Sequence, residues 1–218
     1  MDLMDLRRSL LMMTANRLPS EYQGVEYLES KSDNAEWINT GIIPNKNMRV
    51  VVHGMTCDNI TDASFFFGSR VTSNSCMFCG LIWRRYYQFE LGNRRNVNIA
   101  QAHAEERFFY DFNCDENHSV IANGTAYANS ITITDEESQY DTPMLLFAIY
   151  TGRTIDSQRR PVRISSFTVY ESYADANPIQ NLVPCYRKYD NKPGMYDTVS
   201  KTFYTNSGTG KFLVGADV

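Results

Sequence analysis

The chain has 218 residues, 25 acidic and 21 basic side chains, a formal charge of -4 and 43% hydrophobic residues. This mild charge gives no global electrostatic drive toward nucleic acid or an anionic membrane. No apolar run approaches the roughly 20 residues that cross a bilayer as a helix.

At this length about 70% of the unfolded chain's surface can be buried, so one domain can form a core without disulfides or metals. The five cysteines, Cys57, Cys76, Cys79, Cys114 and Cys185, are odd in number and dispersed, which reads as free thiols instead of a secreted disulfide framework. Cys76 and Cys79 have the spacing of a zinc half-site, but no second pair completes four ligands. Neither a metal nor a cofactor is expected.

Taken in chain order, residues 1–16 contain no aromatic residue, no Gly and no Pro, and their good helix formers predict a helical segment distinct from the rest of the chain. Leu3, Leu6, Leu10 and Met13 recur at spacings of three, four and three. This is the a/d pattern of a coiled-coil seam or of a helix docking on another surface. A helix this short is marginal alone in water, so the seam implies a homo-oligomer, with a trimer favoured, or a larger assembly. A helix packed on its own domain is the other reading. Arg7 and Arg8 before Leu10–Met13 imitate an export signal. The apolar run is short, though, and Asp2 and Asp5 acidify its start, so the segment is read as retained.

Residues 17–218 form the second unit. From Leu18 onward, short alternating segments separated by Gly, Asn, Asp, Ser and Pro replace the helix signals. The fourteen Tyr and twelve Phe, with many Val, Ile and Thr, suit pleated, half-buried surfaces. Strands are expected over 49–52, 64–67, 81–91, 119–122, 144–150 and 162–170. Asn123-Gly124 is the strongest hairpin signal, because a type I′ turn needs positive φ at both central positions. An all-β sandwich is the architecture these signals imply.

Two stretches carry a resemblance, LPSEYQGVEYLESKSDNAEWINTGIIPNKN near the start and PCYRKYDNKPGMYDTVSKTFYTNSGTGKF near the end. They resemble the two ends of a concanavalin A-like, laminin-G-like jelly-roll family of bacteriophage tail and surface proteins and gut-bacterial surface proteins. The resemblance implies an antiparallel two-sheet jelly roll and, for context, a phage particle. The residues themselves read as architecture. Tyr22, Val25, Tyr27, Trp37 and Ile38 supply apolar anchors, and Thr198-Val199-Ser200-Lys201 makes a turn between two short strands. Gly208 and Gly210 permit a bend before Phe212 and Leu213 return to the core.

Glycosidases share this fold, yet no Glu-x-Asp-x-x-Glu places two carboxylates on one strand face. Glu26 and Glu29 point to opposite faces, and Asp135, Glu136 and Glu137 read as a solvated cluster. His53, His103 and His118 stand apart from any nucleophile elbow. The segment 81–91, read as one strand, puts Leu81, Trp83, Tyr87, Phe89 and Leu91 on the core face. Arg84, Tyr86 and Gln88 then share an outer face that could stack on a sugar and hydrogen-bond its hydroxyls, or simply be solvated. Arg94 and Arg95 read as hairpin-tip charges or as contacts to an anionic ligand.

The resulting expectation is a non-catalytic virion surface protein, fibre-like or decorating, assembled in the bacterial host cytoplasm. Its partners are a bacterial or mucosal glycan, and other virion proteins through the N-terminal helix. No membrane or nucleic-acid partner is expected. The alternatives are a purely structural capsid or tail module, or a bacterial surface adhesin or polysaccharide-active enzyme. Deleting residues 1–16 is expected to leave a folded domain while abolishing oligomerisation or attachment. Sedimentation of the full-length and truncated chains checks this, and aggregation of the truncated chain would assign the segment to the domain core.

Overall fold

The computed structural model describes residues 18–31, 36–57, 64–70, 76–83, 86–93, 95–127, 133–134, 139–150, 154–157 and 161–218. The segment 1–16, with Leu3, Leu6, Leu10 and Met13, lies outside the described residues, as do Asp135, Glu136 and Glu137.

Among the described residues there are strands and no helix. The first ten are β1 (Tyr22–Gly24), β2 (Leu28–Glu29), β3 (Ile38–Asn39), β4 (Arg49–Thr56), β5 (Ser64–Arg70), β6 (Cys76–Trp83), β7 (Tyr86–Asn93), β8 (Arg95–Gln101), β9 (Arg107–Phe112) and β10 (Val120–Ala122). They are followed by β11 (Thr125–Tyr127), β12 (Leu145–Leu146), β13 (Ala148–Tyr150), β14 (Ile155–Ser157), β15 (Val162–Tyr170), β16 (Gln180–Arg187), β17 (Lys192–Asp197), β18 (Phe203–Thr205) and β19 (Leu213–Val214).

Two antiparallel sheets carry the fold. The larger runs β11-β10-β9-β4-β15-β16-β17-β18, with β1 added on β16 and β2 and β19 added beside β15. The smaller runs β3-β12-β5-β6-β7-β8, and β13 and β14 form a separate ribbon.

Alternation makes these strands amphipathic. In β4, Val50, Val52, Gly54 and Thr56 are buried while Arg49, Val51, His53 and Met55 are partly exposed, as a sheet with one packed face requires. In β9 the inward positions are Phe108, Tyr110 and Phe112. These three rings meet rings from the smaller sheet. Phe66 lies 4.5 Å from Phe108 between centroids, Tyr87 lies 4.7 Å from Tyr110, and Phe89 and Phe67 each lie 5.3 Å from Phe112. Such tilted contacts are the favoured aromatic geometry.

Two glycines make room for this layer. A Cβ on Gly54 would come within 2.5 Å of the Phe108 ring, and one on Gly80 within 2.6 Å of Phe67 and 2.9 Å of Phe112. The run Phe65-Phe66-Phe67 is buried throughout because a bulge interrupts the β5–β6 register between Phe65 and Phe67. Phe66 and Phe67 both enter the main core, whereas Phe65 joins Cys79, Leu81 and Ile149 in a second cluster. A bulge is the device that lets consecutive residues share a face.

The expected hairpin is present. Asn123 and Gly124 take φ of 48° and 86°, the signs of a type I′ turn, and β10 pairs with β11 across them. The Thr198–Lys201 turn also joins β17 to β18, with Lys201 at φ 61°. One expectation at the end of the chain needs correction. Phe212 is buried against Phe147, but Leu213 is exposed on β19, because that strand pairs along an outer edge with β2.

Phe112→Ala is expected to lower stability by about 3–5 kcal/mol through the cavity it leaves. Gly80→Ala should cost about 1–3 kcal/mol through overpacking. Shifts of the urea midpoint at constant m-value measure both.

Candidate functional site

The segment 81–91 is not one strand. β6 ends at Trp83, β7 begins at Tyr86, and the two pair as a hairpin with Trp83 opposite Tyr86 and Leu81 opposite Gln88. Residues paired in an antiparallel ladder occupy the same face, so the connection reverses parity. The core face therefore holds Phe78, Gly80 and Ile82 of β6 but Tyr87, Phe89 and Leu91 of β7. Leu81 belongs to the second cluster with Phe65, Cys79 and Ile149, and position 83 shares its face with Tyr86. The expectation that Leu81 stands on the core face with Tyr87 is thus overturned, whereas it holds for Tyr87, Phe89 and Leu91. The Trp83 side chain lies outside the described residues.

The outer face of the smaller sheet is not uniformly solvated either. Ile149 of β13 packs over Phe65, Cys79 and Leu81, and Gln88, one register position from this cover, is only 5% exposed. Gln88 therefore does not face solvent, contrary to the alternation argument. Tyr86 does, at 43%, and its neighbour across the ladder on β8 is the exposed Gln101. Gln101 escapes sequence reasoning because the β7–β8 register shifts between Tyr87 and Gln88, and no residue type announces that slip. Arg84 and Arg94 lie outside the described residues. Arg95 pairs with Leu91, five residues along β7 from Tyr86 and hence about 17 Å away at the rise of a strand. Of the residues proposed from sequence, Tyr86 is exposed and Gln88 buried, and Arg95 is placed by its backbone pairing alone. Tyr86 with Gln101 makes one corner and Arg95 the other end.

The acidic groups serve the fold. Asp111 accepts from Nε and Nη2 of Arg49 at 2.7 and 2.6 Å, the bidentate geometry that holds both partners in plane, and the Arg49 guanidinium lies 4.9 Å from the Tyr170 ring. Glu29 pairs with Arg163. Asp197 accepts the backbone amides of Asn181 and Val199 and the Ser200 hydroxyl. Glu106 accepts the His103 amide and the Tyr87 hydroxyl. Burial raises the Asp115 carboxyl, but hydrogen bonds from Ser119 and Asn117, with His118 nearby, outweigh it and hold its pKa below the ordinary value.

The histidines are dispersed. His53 meets the Phe109 ring edge-on, with centroids 4.6 Å apart, and His103 sits in an exposed turn. His118 is buried, its Nδ1 2.6 Å from Oδ1 of Asn113. The Asn113 amide in turn donates to the carbonyls of Lys46 and Met48, so its oxygen must face His118 and Nδ1 carries the proton. Both Asn113 and His118 take positive φ, 61° and 58°, and the pair locks the bend between β9 and β10.

Burial keeps the thiols of Cys79, Cys114 and Cys185 protonated. Cys114 is pushed up to about 11, with Asp111 and Asp115 adding to the effect, and Cys185 to about 12. Burial and then Glu90 raise Cys79. Such groups are poor nucleophiles and poor ligands. Among the described residues no group of three or more His, Cys, Asp or Glu is placed to hold a metal ion.

No family model matches the chain. No curated protein matches it either.

Burial lowers the His118 pKa below 6.5, with Lys46 acting in the same sense and Asp115 opposing. A depressed histidine favours the neutral folded form. Its contribution to stability is complete above the unfolded pKa near 6.5 and is lost as pH falls from there through the folded value. Urea midpoints recorded from neutral to mildly acidic pH should therefore fall. His118→Asn, which tolerates the positive φ, should flatten that part of the profile.

Proposed function

We propose that this chain is a non-catalytic jelly-roll module of a bacteriophage particle, attached through residues 1–16 and presenting its sandwich to a glycan of the host or its surroundings. Several observations support the reading. The described carboxylates with resolved partners hold arginines, turns and backbone amides, the opposite of the free acid and base that glycoside hydrolysis needs. The three histidines are scattered, and the thiols of Cys79, Cys114 and Cys185 are held protonated. The likeness of the two end segments to a phage and gut-bacterial jelly-roll family supplies the biological context.

The single observation that carries the glycan contact is Tyr86. It is an exposed aromatic at 43% on a sheet where Phe65, Phe66, Phe67, Phe78, Tyr87 and Phe89 are buried, and its partner across the ladder is the exposed Gln101. A ring with a polar tip can stack on a pyranose while a neighbouring amide bonds its hydroxyls. Presentation in several copies would raise avidity without further contacts.

A second reading, a structural module joining capsid or tail subunits, is favoured by a different feature. Leu213 and Val214 are both exposed on the short strand β19, and apolar side chains on a sheet edge invite pairing with another chain.

The two readings separate on an array of bacterial polysaccharides probed with the full-length protein. Binding that Tyr86→Ala weakens by about tenfold, or ~1.4 kcal/mol, with an unchanged melting temperature, supports the glycan reading. Silence across the array, together with loss of self-association in Leu213→Asp, supports the structural one.

A further inference from the structure

The most exposed aromatic side chain of the described residues is neither Tyr86 nor any residue singled out from the sequence. It is Tyr189, 76% exposed in the turn between β16 and β17. An exposed tyrosine is ordinary by itself; this one is held from behind. Arg187, the last residue of β16, donates from Nε and Nη2 to the two carboxylate oxygens of Asp190 at 3.2 and 2.7 Å. That fork fixes the plane of the guanidinium. The Tyr189 ring centroid lies 4.5 Å from its central carbon, and the Phe203 centroid lies 5.5 Å from it.

Phe203 rests on Tyr22 at 4.9 Å, and Tyr22 on Tyr196 at 5.0 Å. Beneath them lie the buried Val183 and Cys185. A continuous stack thus runs from the sheet out to a ring whose far side faces solvent.

We propose that Tyr189, backed by Arg187, is a stacking platform for a hexopyranose unit of a neutral glycan, on the sheet opposite to Tyr86. The inference rests on reading the domain as a glycan binder and assigns that activity a different surface. Three arguments carry it. The cation beneath the ring already restricts its rotamers, so less ordering remains when a ligand stacks. Lys188, Asp190 and Asn191 flank Tyr189 in the turn and are exposed, so polar groups able to meet sugar hydroxyls are close to it in the chain. Asp190 neutralises Arg187, and of the turn's two other cations Lys188 lies beside Glu21, whose carbonyl accepts its amide. This leaves Lys192 alone and gives no basic track for a polyanion in a chain at -4. A nucleic-acid strand needs an unneutralised basic track beside its stacking rings.

The test is native affinity electrophoresis of the full-length protein through gels containing dextran, mannan or laminarin, with hyaluronan as the anionic comparison. Retardation by at least one neutral polysaccharide is expected. Tyr189→Ala should weaken it by about tenfold or more, Tyr189→Phe should keep it within about twofold, and Arg187→Lys, which loses the planar fork, should fall between. Both Tyr189 variants should melt with the wild type, since that ring is exposed.

Retardation lost in Tyr86→Ala but retained in Tyr189→Ala overturns the platform and leaves the glycan reading standing. Retardation by hyaluronan alone, abolished by Tyr189→Ala, overturns the neutral class of ligand. Absence of retardation in every gel overturns both the platform and the reading beneath it.

Discussion

The contact on which the structure depends is the aromatic layer between the two sheets. Phe108, Tyr110 and Phe112 from β9 meet Phe66, Phe67, Tyr87 and Phe89 from β5 and β7, so one strand of the larger sheet grips two strands of the smaller one. Each buried ring removes a large apolar area from water, and the layer replaces any need for a covalent staple. The surrounding sequence conforms to it. Gly54 and Gly80 are the hollows into which Phe108, Phe67 and Phe112 fit, and the β5 bulge delivers two consecutive rings to the same side. Packing at crystal-like density leaves little tolerance for a methyl group at either glycine.

Much of this architecture was legible from local chemistry. Asn123-Gly124 announced its hairpin because few other pairs adopt positive φ twice in succession, and the valine run of 49–52 marked a strand, although three like residues in a row left its faces to be told apart by burial. The legibility ended where a face depended on partners distant in sequence. From 81 to 91 the residues alternate well enough to pass for a single strand, since a two-residue connection shifts parity without breaking the rhythm. Gln88, paired with Leu81 of the cluster that Ile149 joins from more than fifty positions away, is buried. The Asn113–His118 lock was equally opaque, because neither residue signals that its amide will be claimed by the carbonyls of Lys46 and Met48. Tyr189 was overlooked for the same reason, since its support comes from an ion pair and a ring on another strand.

Charge is used here as mortar. Arg49 joins β4 to β9 through Asp111, and Arg163 joins β15 to β2 through Glu29. Arg187 braces its turn through Asp190. Each guanidinium also lies against a tyrosine ring, Tyr170, Tyr27 and Tyr189 in turn. Such combinations of fork and stack are unavailable to lysine, and they draw the acidic side chains into the framework.

The sheet is closed by strands from opposite ends of the described chain. β1 pairs with β16, β2 with both β15 and β19, and Val25 bridges to Asp217. These are pairings of very high sequence separation, the kind that slows folding because a long loop must close before any contact rewards it. During synthesis, residues 22–29 emerge first and have no strand to join until residues 162–187 and then 213–217 have left the ribosome. A chain interrupted before that point leaves β1 and β2 without the strands they pair with, an aggregation-prone intermediate. Closure of this sheet therefore waits for its last strands, and yield in a cell should depend on chaperones that shield the unpaired strands during the wait.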